Sequence, residues 1–216
     1  MPRLYTYCIP YDDGAAPNPY WGICTLAICK PMIRRTAEVG DWVVGTGSRN
    51  SPIGDISSKV VYAMRVTQKL SMSEYDSWSR KSCPKKIPNM RTSNLEQHLG
   101  DSIYNFSTSP PKQRMGVHDA GNISTDLSGL NVLLSSHFFY FGDKPRKLPA
   151  RLQEIVKQGQ GHRVKLNEPF VEPFQEWVNS LKLQPNKLYG EPPHKLSKGA
   201  SVRAACAAED AISPIC

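Results

Sequence analysis

Apolar and polar residues alternate most regularly from Lys59 to Gln68, where Val60, Tyr62, Met64 and Val66 fall on one side and Lys59, Arg65 and Thr67 help form the other. A period of two marks a half-buried strand. Leu4 to Pro10 is aromatic and β-branched and stops at a proline, so it reads as a short strand. Tyr11 to Pro19 is dense in Asp, Gly, Asn and Pro and reads as a loop of stacked turns. Gly22 to Cys29 is small and apolar, which predicts burial. Pro31 suits the first turn of a short helix that runs to Glu38 and stops at Gly40. Asp41 to Thr46 carries Trp42, Val43 and Val44 ahead of Gly45 and Gly47, the pattern of a buried strand and a glycine-bearing turn.

Ser73 is the expected cap of a helix through Glu74, Tyr75 and Trp78. Periodicity is sparse from Ser82 to Gly129, and a stretch of that length is usually functional or mobile, holding short pieces of structure. Leu130 to Phe141 predicts a core strand broken near Ser135-Ser136, and Leu148 to Lys157 a helix. Pro169 to Lys182 places Phe170, Phe174, Trp177, Val178 and Leu181 on one helical stripe. Together these elements predict one α+β domain over residues 1–184. A Pro/Gly/Ala-rich tail over 185–216 follows, with a weak Ala-rich helix toward its end.

Composition sharpens this picture in four ways. The 216 residues are 39% hydrophobic and 21% charged, enough to bury a core, while 18 prolines and 15 glycines spread along the chain favour short elements over a helical bundle. No leader-like start and no apolar run of about 18 residues are evident, so a cytoplasmic, non-membrane protein is expected, with its six cysteines (Cys8, Cys24, Cys29, Cys83, Cys206, Cys216) as free thiols. Zinc-ligand spacing and nucleotide-cofactor fingerprints are both missing, so neither a metal nor a cofactor is expected. Finally, a net charge of +8 attracts polyanions, of which phosphate backbones are the commonest inside cells.

Candidate chemistry falls into two sets. Near the amino end, the planar faces of Tyr20, Trp21 and Trp42 lie close in sequence to Asn18, Asp41, Thr46 and Ser48, residue types that stack on a base and read its edges. Lys30, Arg34, Arg35, Arg49, Lys147 and Arg163 are the expected phosphate contacts. The second set, Asp101, His118, Asp126 and His162, offers acid–base groups with no fixed catalytic spacing.

Two stretches carry a family likeness: Ala16-Pro17-Asn18-Pro19, and Gly22-x-Cys24-Thr25-Leu26-Ala27-x-Cys29-Lys30-Pro31 followed by Ile33-Arg34-x-x-Ala37 and Gly40-Asp41-Trp42. On these residues the chain resembles the second nucleotide-modification-associated domain family, continuing through Gly100-Asp101-x-Ile103-Tyr104 and Gly161-His162-Arg163. That resemblance implies a phage or bacterial setting in which modified DNA bases are handled. The order of elements also looks like PUA-like and EVE-like domains, which implies a small mixed or antiparallel β-barrel with peripheral helices. The leading expectation is therefore a module that binds a modified or flipped base, its partner a nucleic acid or nucleotide. The alternatives are an enzyme that excises or modifies a base with the His/Asp groups, and an interaction protein in a phage or defence complex.

Overall fold

The computed structural model describes residues 1–194; the rest of the expected tail, with its Ala-rich helix, lies outside the described residues. Seven strands form the main sheet. Its path runs from β11 (His162–Arg163) through β1 (Leu4–Cys8), β3 (Trp42–Thr46), β4 (Lys59–Arg65) and β9 (His137–Tyr140) to β12 (Lys187–Leu188), with β10 (Arg146–Lys147) paired to the start of β4. The pairs β1/β3 and β9/β12 are parallel and the rest antiparallel. A three-stranded antiparallel sheet orders β2 (Cys24–Leu26), β8 (Asn131–Ser135) and β5 (Gln68–Ser71), and β6 (Tyr104–Asn105) pairs with β7 (Lys112–Gln113). No closed barrel forms among the described residues. The main sheet ends instead on two-residue edge strands, a common way of limiting exposed edge pairing.

The two larger sheets share one long antiparallel ribbon. Strand β4 continues into β5 as its partner β8 continues into β9, and the ribbon bends at Arg65–Gln68 opposite Ser135–His137. There the Ser135 hydroxyl, 2.6 Å from the Arg65 carbonyl, occupies a backbone acceptor that the bend takes out of the ladder. The sequence break at Ser135-Ser136 is thus a change of sheet.

Both faces of the main sheet are covered. Tyr5, Tyr7, Tyr62, Met64 and Tyr140 pack with Cys24, Leu26, Leu133 and Ile33 of the small sheet and of α1 (Pro31–Thr36). On the other face Leu4, Trp42, Val44 and Phe139 pack beneath Leu152 and Ile155 and beneath Phe174, Trp177 and Val178 of α5 (Val171–Ser180). Double coverage explains why Val60 through Met64 are all buried. The alternation also slips once. Gly45 pairs with Tyr62 but Thr46 with Val60, so Val61 is a bulged residue and Val60 turns to the face opposite Tyr62 and Met64.

Two further expectations are corrected. Helix α2 (Met72–Ser82) is capped by Ser71, whose hydroxyl accepts from Glu74 N while the Glu74 carboxylate accepts from Ser71 N; Ser73 is already inside the first turn. Leu148–Lys157 is a 3₁₀ stretch over Ala150–Ile155, because its two buried side chains, Leu152 and Ile155, are three apart and fall on one line at three residues per turn. The sparse region 82–129 holds short 3₁₀ turns, the β6/β7 pair, α3 (Leu95–His98) and α4 (Ile123–Ser128). Among the described residues no helix is long and apolar enough to cross a membrane.

Candidate functional site

The chain leaves β2 through Ala27 and Ile28, both buried, and then places Cys29 at φ 57° and Lys30 at φ 39°. Two consecutive L-residues in the left-handed region cost roughly 1–2 kcal/mol each, so neighbouring groups must hold them there. Pro31 fixes the next φ as the first residue of α1. One turn on, Arg34 reaches back and donates from Nε to the Cys29 carbonyl at 2.7 Å, while Cys29 N donates to Asp126 Oδ1 at 2.9 Å. The guanidinium is fully buried. Its remaining donors go to the Asp126 carbonyl at 2.5 Å and the Asn131 carbonyl at 3.0 Å, so one arginine ties the Cys29 turn to α4 and the start of β8.

Asp126 also orients a histidine. Its Oδ2 accepts from His118 Nδ1 at 2.5 Å and from the Tyr104 hydroxyl at 2.9 Å, which leaves His118 Nε2 pointing at the Cys29 sulfur, 3.4 Å away. Carboxylate, imidazole and thiol therefore form one line. Burial alone lowers the pKa of His118, but hydrogen bonds to Asp126 and Cys29 outweigh it and push the imidazole up to about 10. A protonated ring beside a thiol favours the thiolate, the reactive form of cysteine. Tyr104 is held protonated, first by burial and then by the Asp126 carboxylate.

Cys29 stands on a wall shared by a smaller and a larger cleft, both also lined by Lys30 and His118. The smaller adds Tyr7, Tyr11 and Asp13, and the larger adds Met32, Asn122, Gln160 and His162. Asp13 is 7% exposed, and burial raises its pKa against the pull of His118 and His194. Among the described residues no three His, Cys, Asp or Glu side chains are grouped to hold a metal ion.

Of the acid–base candidates, His118 and Asp126 meet directly and His162 lines the larger cleft. Asp101 is elsewhere, buried beneath Thr25 and Tyr75, whose hydroxyls donate to it at 2.5 and 2.6 Å. The residues expected to hold a base line neither cleft. Asn18 is buried between the Leu99 carbonyl and Lys86, Thr46 donates to the Tyr7 carbonyl, and Asp41 accepts from Arg3 and from Glu38 N. Trp42 packs edge-on against Phe174 and His137, Tyr20 lies in a third core cluster beside the half-buried Trp21, and Ser48 accepts from Asn50 N. Small polar side chains in this loop-rich segment are spent satisfying backbone groups.

Among the expected phosphate contacts, Lys30 reaches the clefts, with Nζ 5.1 Å from the Tyr7 ring centroid. Arg34 faces inward, a correction that follows from the three carbonyls it satisfies. Arg35, Arg49 and Lys147 are exposed away from the clefts, and Arg163 donates to the Glu154 carbonyl. From sequence Cys29 is expected only as a buried free thiol. The one local signal for it was its place just ahead of a helix-starting proline.

The His118 proton gives a pH prediction. Its folded pKa exceeds the ordinary 6.5, so its stabilising contribution is complete below pH 6.5 and is lost as pH rises through about 10. Asp12, raised to about 7 mainly by burial, acts in the same direction but from about 3.8 to 7. Denaturant midpoints of the wild type should therefore fall between pH 7 and 10. Those of His118→Gln should stay flatter over that window, and identical slopes would remove His118 as the cause.

The family model described as nucleotide modification associated domain 2 matches residues 1–199. No curated protein and no solved structure matches the chain.

Proposed function

The chain belongs to the nucleotide modification associated domain 2 family, and from that premise we propose that it acts on a nucleotide or nucleic acid as a thiol-dependent enzyme. Cys29 is the nucleophile, His118 the proton carrier and Asp126 the group that orients the imidazole. The observation that carries this reading is the line from Asp126 through His118 to the Cys29 sulfur, ending where two clefts meet. Covalent catalysis by cysteine needs a thiolate, a neighbouring base or acid, and a third group that fixes that partner's ring. All three are supplied by side chains: Arg34 pins the backbones of Cys29 and Asp126 to one another, and the Asp126 carboxylate holds the His118 ring.

Two more features support the substrate class. Lys30, on the wall beside the thiol, offers a cation for a phosphate, and the net charge of +8 draws polyanions toward the protein. A base carried on DNA or a free nucleotide, in a phage or bacterial cytoplasm, fits the family's association with nucleotide modification. A module that only recognises a base has less support, because Asn18, Tyr20, Asp41, Trp42 and Thr46 are buried and, like Trp21 and Ser48, line neither cleft.

The test is turnover on matched oligonucleotides and nucleotides bearing ordinary or modified bases, followed by mass spectrometry. Cys29→Ser should abolish product while leaving binding and the melting temperature in place, and His118→Gln should slow turnover by roughly 10²–10⁴-fold. Full activity in Cys29→Ser would overturn the reading.

A further inference from the structure

Of the two clefts that share the Cys29 wall, the larger has room for a ligand. The smaller offers about 30 Å³, the share of a single water molecule. The larger offers about 230 Å³, more than the roughly 150 Å³ in which a protein interior can seat a benzene ring. Met32 of α1, 53% exposed, lines it on one side with a thioether, a group that packs well on ring systems. His162 lines it from β11, where pairing opposite Tyr7 fixes the backbone and the buried Tyr5 ring backs the imidazole at 5.8 Å. Burial lowers the pKa of His162, so at neutral pH the ring is uncharged and its face suits stacking. Asn122 and Thr125, at the start of α4, and Gln160 add amide and hydroxyl groups that both donate and accept. The Asp126 carboxylate on these walls is buried and already paired with His118.

Resting on the thiol-enzyme reading above, we propose that the larger cleft is the seat of the nucleobase. Its ring lies against Met32 and His162, and Asn122, Thr125 and Gln160 meet its edge. Flat or apolar groups on the faces, with neutral donors and acceptors around the rim, are what a planar base requires of a pocket. The seat is built from α1, α4 and the start of β11, away from the aromatic and polar residues near the amino end that resemble a base site in sequence. His162 is thereby a stacking partner and not an acid–base group. The same chemistry serves a free nucleotide and a base turned out of a strand.

Alkylation of Cys29 by iodoacetamide, followed on its own peptide by mass spectrometry, reads occupancy of the cleft without any turnover. Full-length protein is alkylated in the presence of deoxynucleoside 5′-monophosphates, a single-stranded oligodeoxynucleotide, or deoxyribose 5-phosphate. The mononucleotides or the oligonucleotide should slow the reaction, and deoxyribose 5-phosphate, which lacks the base, should not. Whichever protects at the lower concentration identifies the source of the base. His162→Ala and Met32→Ala should each raise the half-protecting concentration about tenfold, the loss of one stacking face, while His162→Phe, which keeps a flat ring, should stay within about threefold of the wild type. Unchanged melting temperatures show that the variants fold. The assignment is overturned by no protection from any nucleotide or oligonucleotide, by equal protection from deoxyribose 5-phosphate, or by values unmoved in both alanine variants. A loss in His162→Phe as large as in His162→Ala would also overturn it. Protection needs no catalysis, so full activity in Cys29→Ser would remove the thiol enzyme and leave a base-dependent protection of Cys29 standing.

Discussion

Replacing Arg34 by Met is expected to destabilise the fold by about 3–5 kcal/mol and to slow alkylation of Cys29 sharply, although the arginine never meets solvent. The guanidinium donates to three carbonyls, those of Cys29, Asp126 and Asn131, and Nη1 also lies 3.4 Å from the Met72 sulfur. A methionine fills similar space but takes a charged donor away from three buried carbonyls, of which that of Asp126 keeps the Gly129 amide at 3.1 Å, at a cost of roughly 1–3 kcal/mol for each acceptor that loses its pairing. It also releases the turn that keeps Cys29 in the left-handed region. Gly129 offers a second route to the same result without changing any charge. A Cβ there would stand 2.3 Å from Arg34 Cζ, and a guanidinium held by three carbonyls cannot move aside. Urea melts of Arg34→Met and Gly129→Ala, each with the iodoacetamide rate at Cys29, measure both effects. A loss below about 1 kcal/mol in both variants would mean that the loop holds itself.

The second large effect should come from Lys86. Its ammonium is fully buried and lies within 2.9 Å of Asn18 O, Asn18 Oδ1, Ile23 O and Thr25 Oγ1, and the Thr25 hydroxyl passes its own proton toward Asp101 at 2.5 Å. Burial lowers the pKa of Lys86 and raises that of Asp101, while each charge pulls the other back toward the ionised form. Lys86→Met should therefore cost about 3–5 kcal/mol, since it strands Asp101 and several oxygens in the interior. Removing the carboxylate as well, in Lys86→Met/Asp101→Asn, should cost clearly less than the two single changes added together. Denaturant melts of the four proteins give the coupling directly, and strict additivity would mean that the two charges do not interact.

This knot also shows why the base-holding reading of Asn18 could not be settled from sequence. Asn18 sits in a turn-rich loop, where its type suits a pocket and a scaffold equally well. What decides between them is Lys86, 68 residues away. Local signals fared better. The helical stripe of Phe174, Trp177 and Val178, the proline start of α1 and the alternation of Tyr62, Met64 and Val66 depend on nearest neighbours along one element, and all three are borne out. The bulge at Val61 escaped that reading because it exists only in the register with β3.

The same limit applies to the site. Arg34 and Arg35 are identical and adjacent, yet one is sealed and the other exposed, because only one side of α1 meets the carbonyls of α4 and β8. His118 and Asp126 are eight residues apart and could be nominated as acid–base groups. Their shared partner, Cys29, is 89 residues from the first and 97 from the second. No spacing rule reaches that far.

The bent ribbon formed by β4–β5 and β8–β9 has a mechanical corollary. Among the described residues its strands alone run from one larger sheet into the other, so a force or a mutation that frays the small sheet pulls on the same backbone that carries the centre of the large one. Cys29 and α1 follow directly from β2, at the border of that small sheet. The Cys29 thiol is thereby tethered to a sheet edge that shares its backbone with the large sheet rather than hung from a free-standing loop.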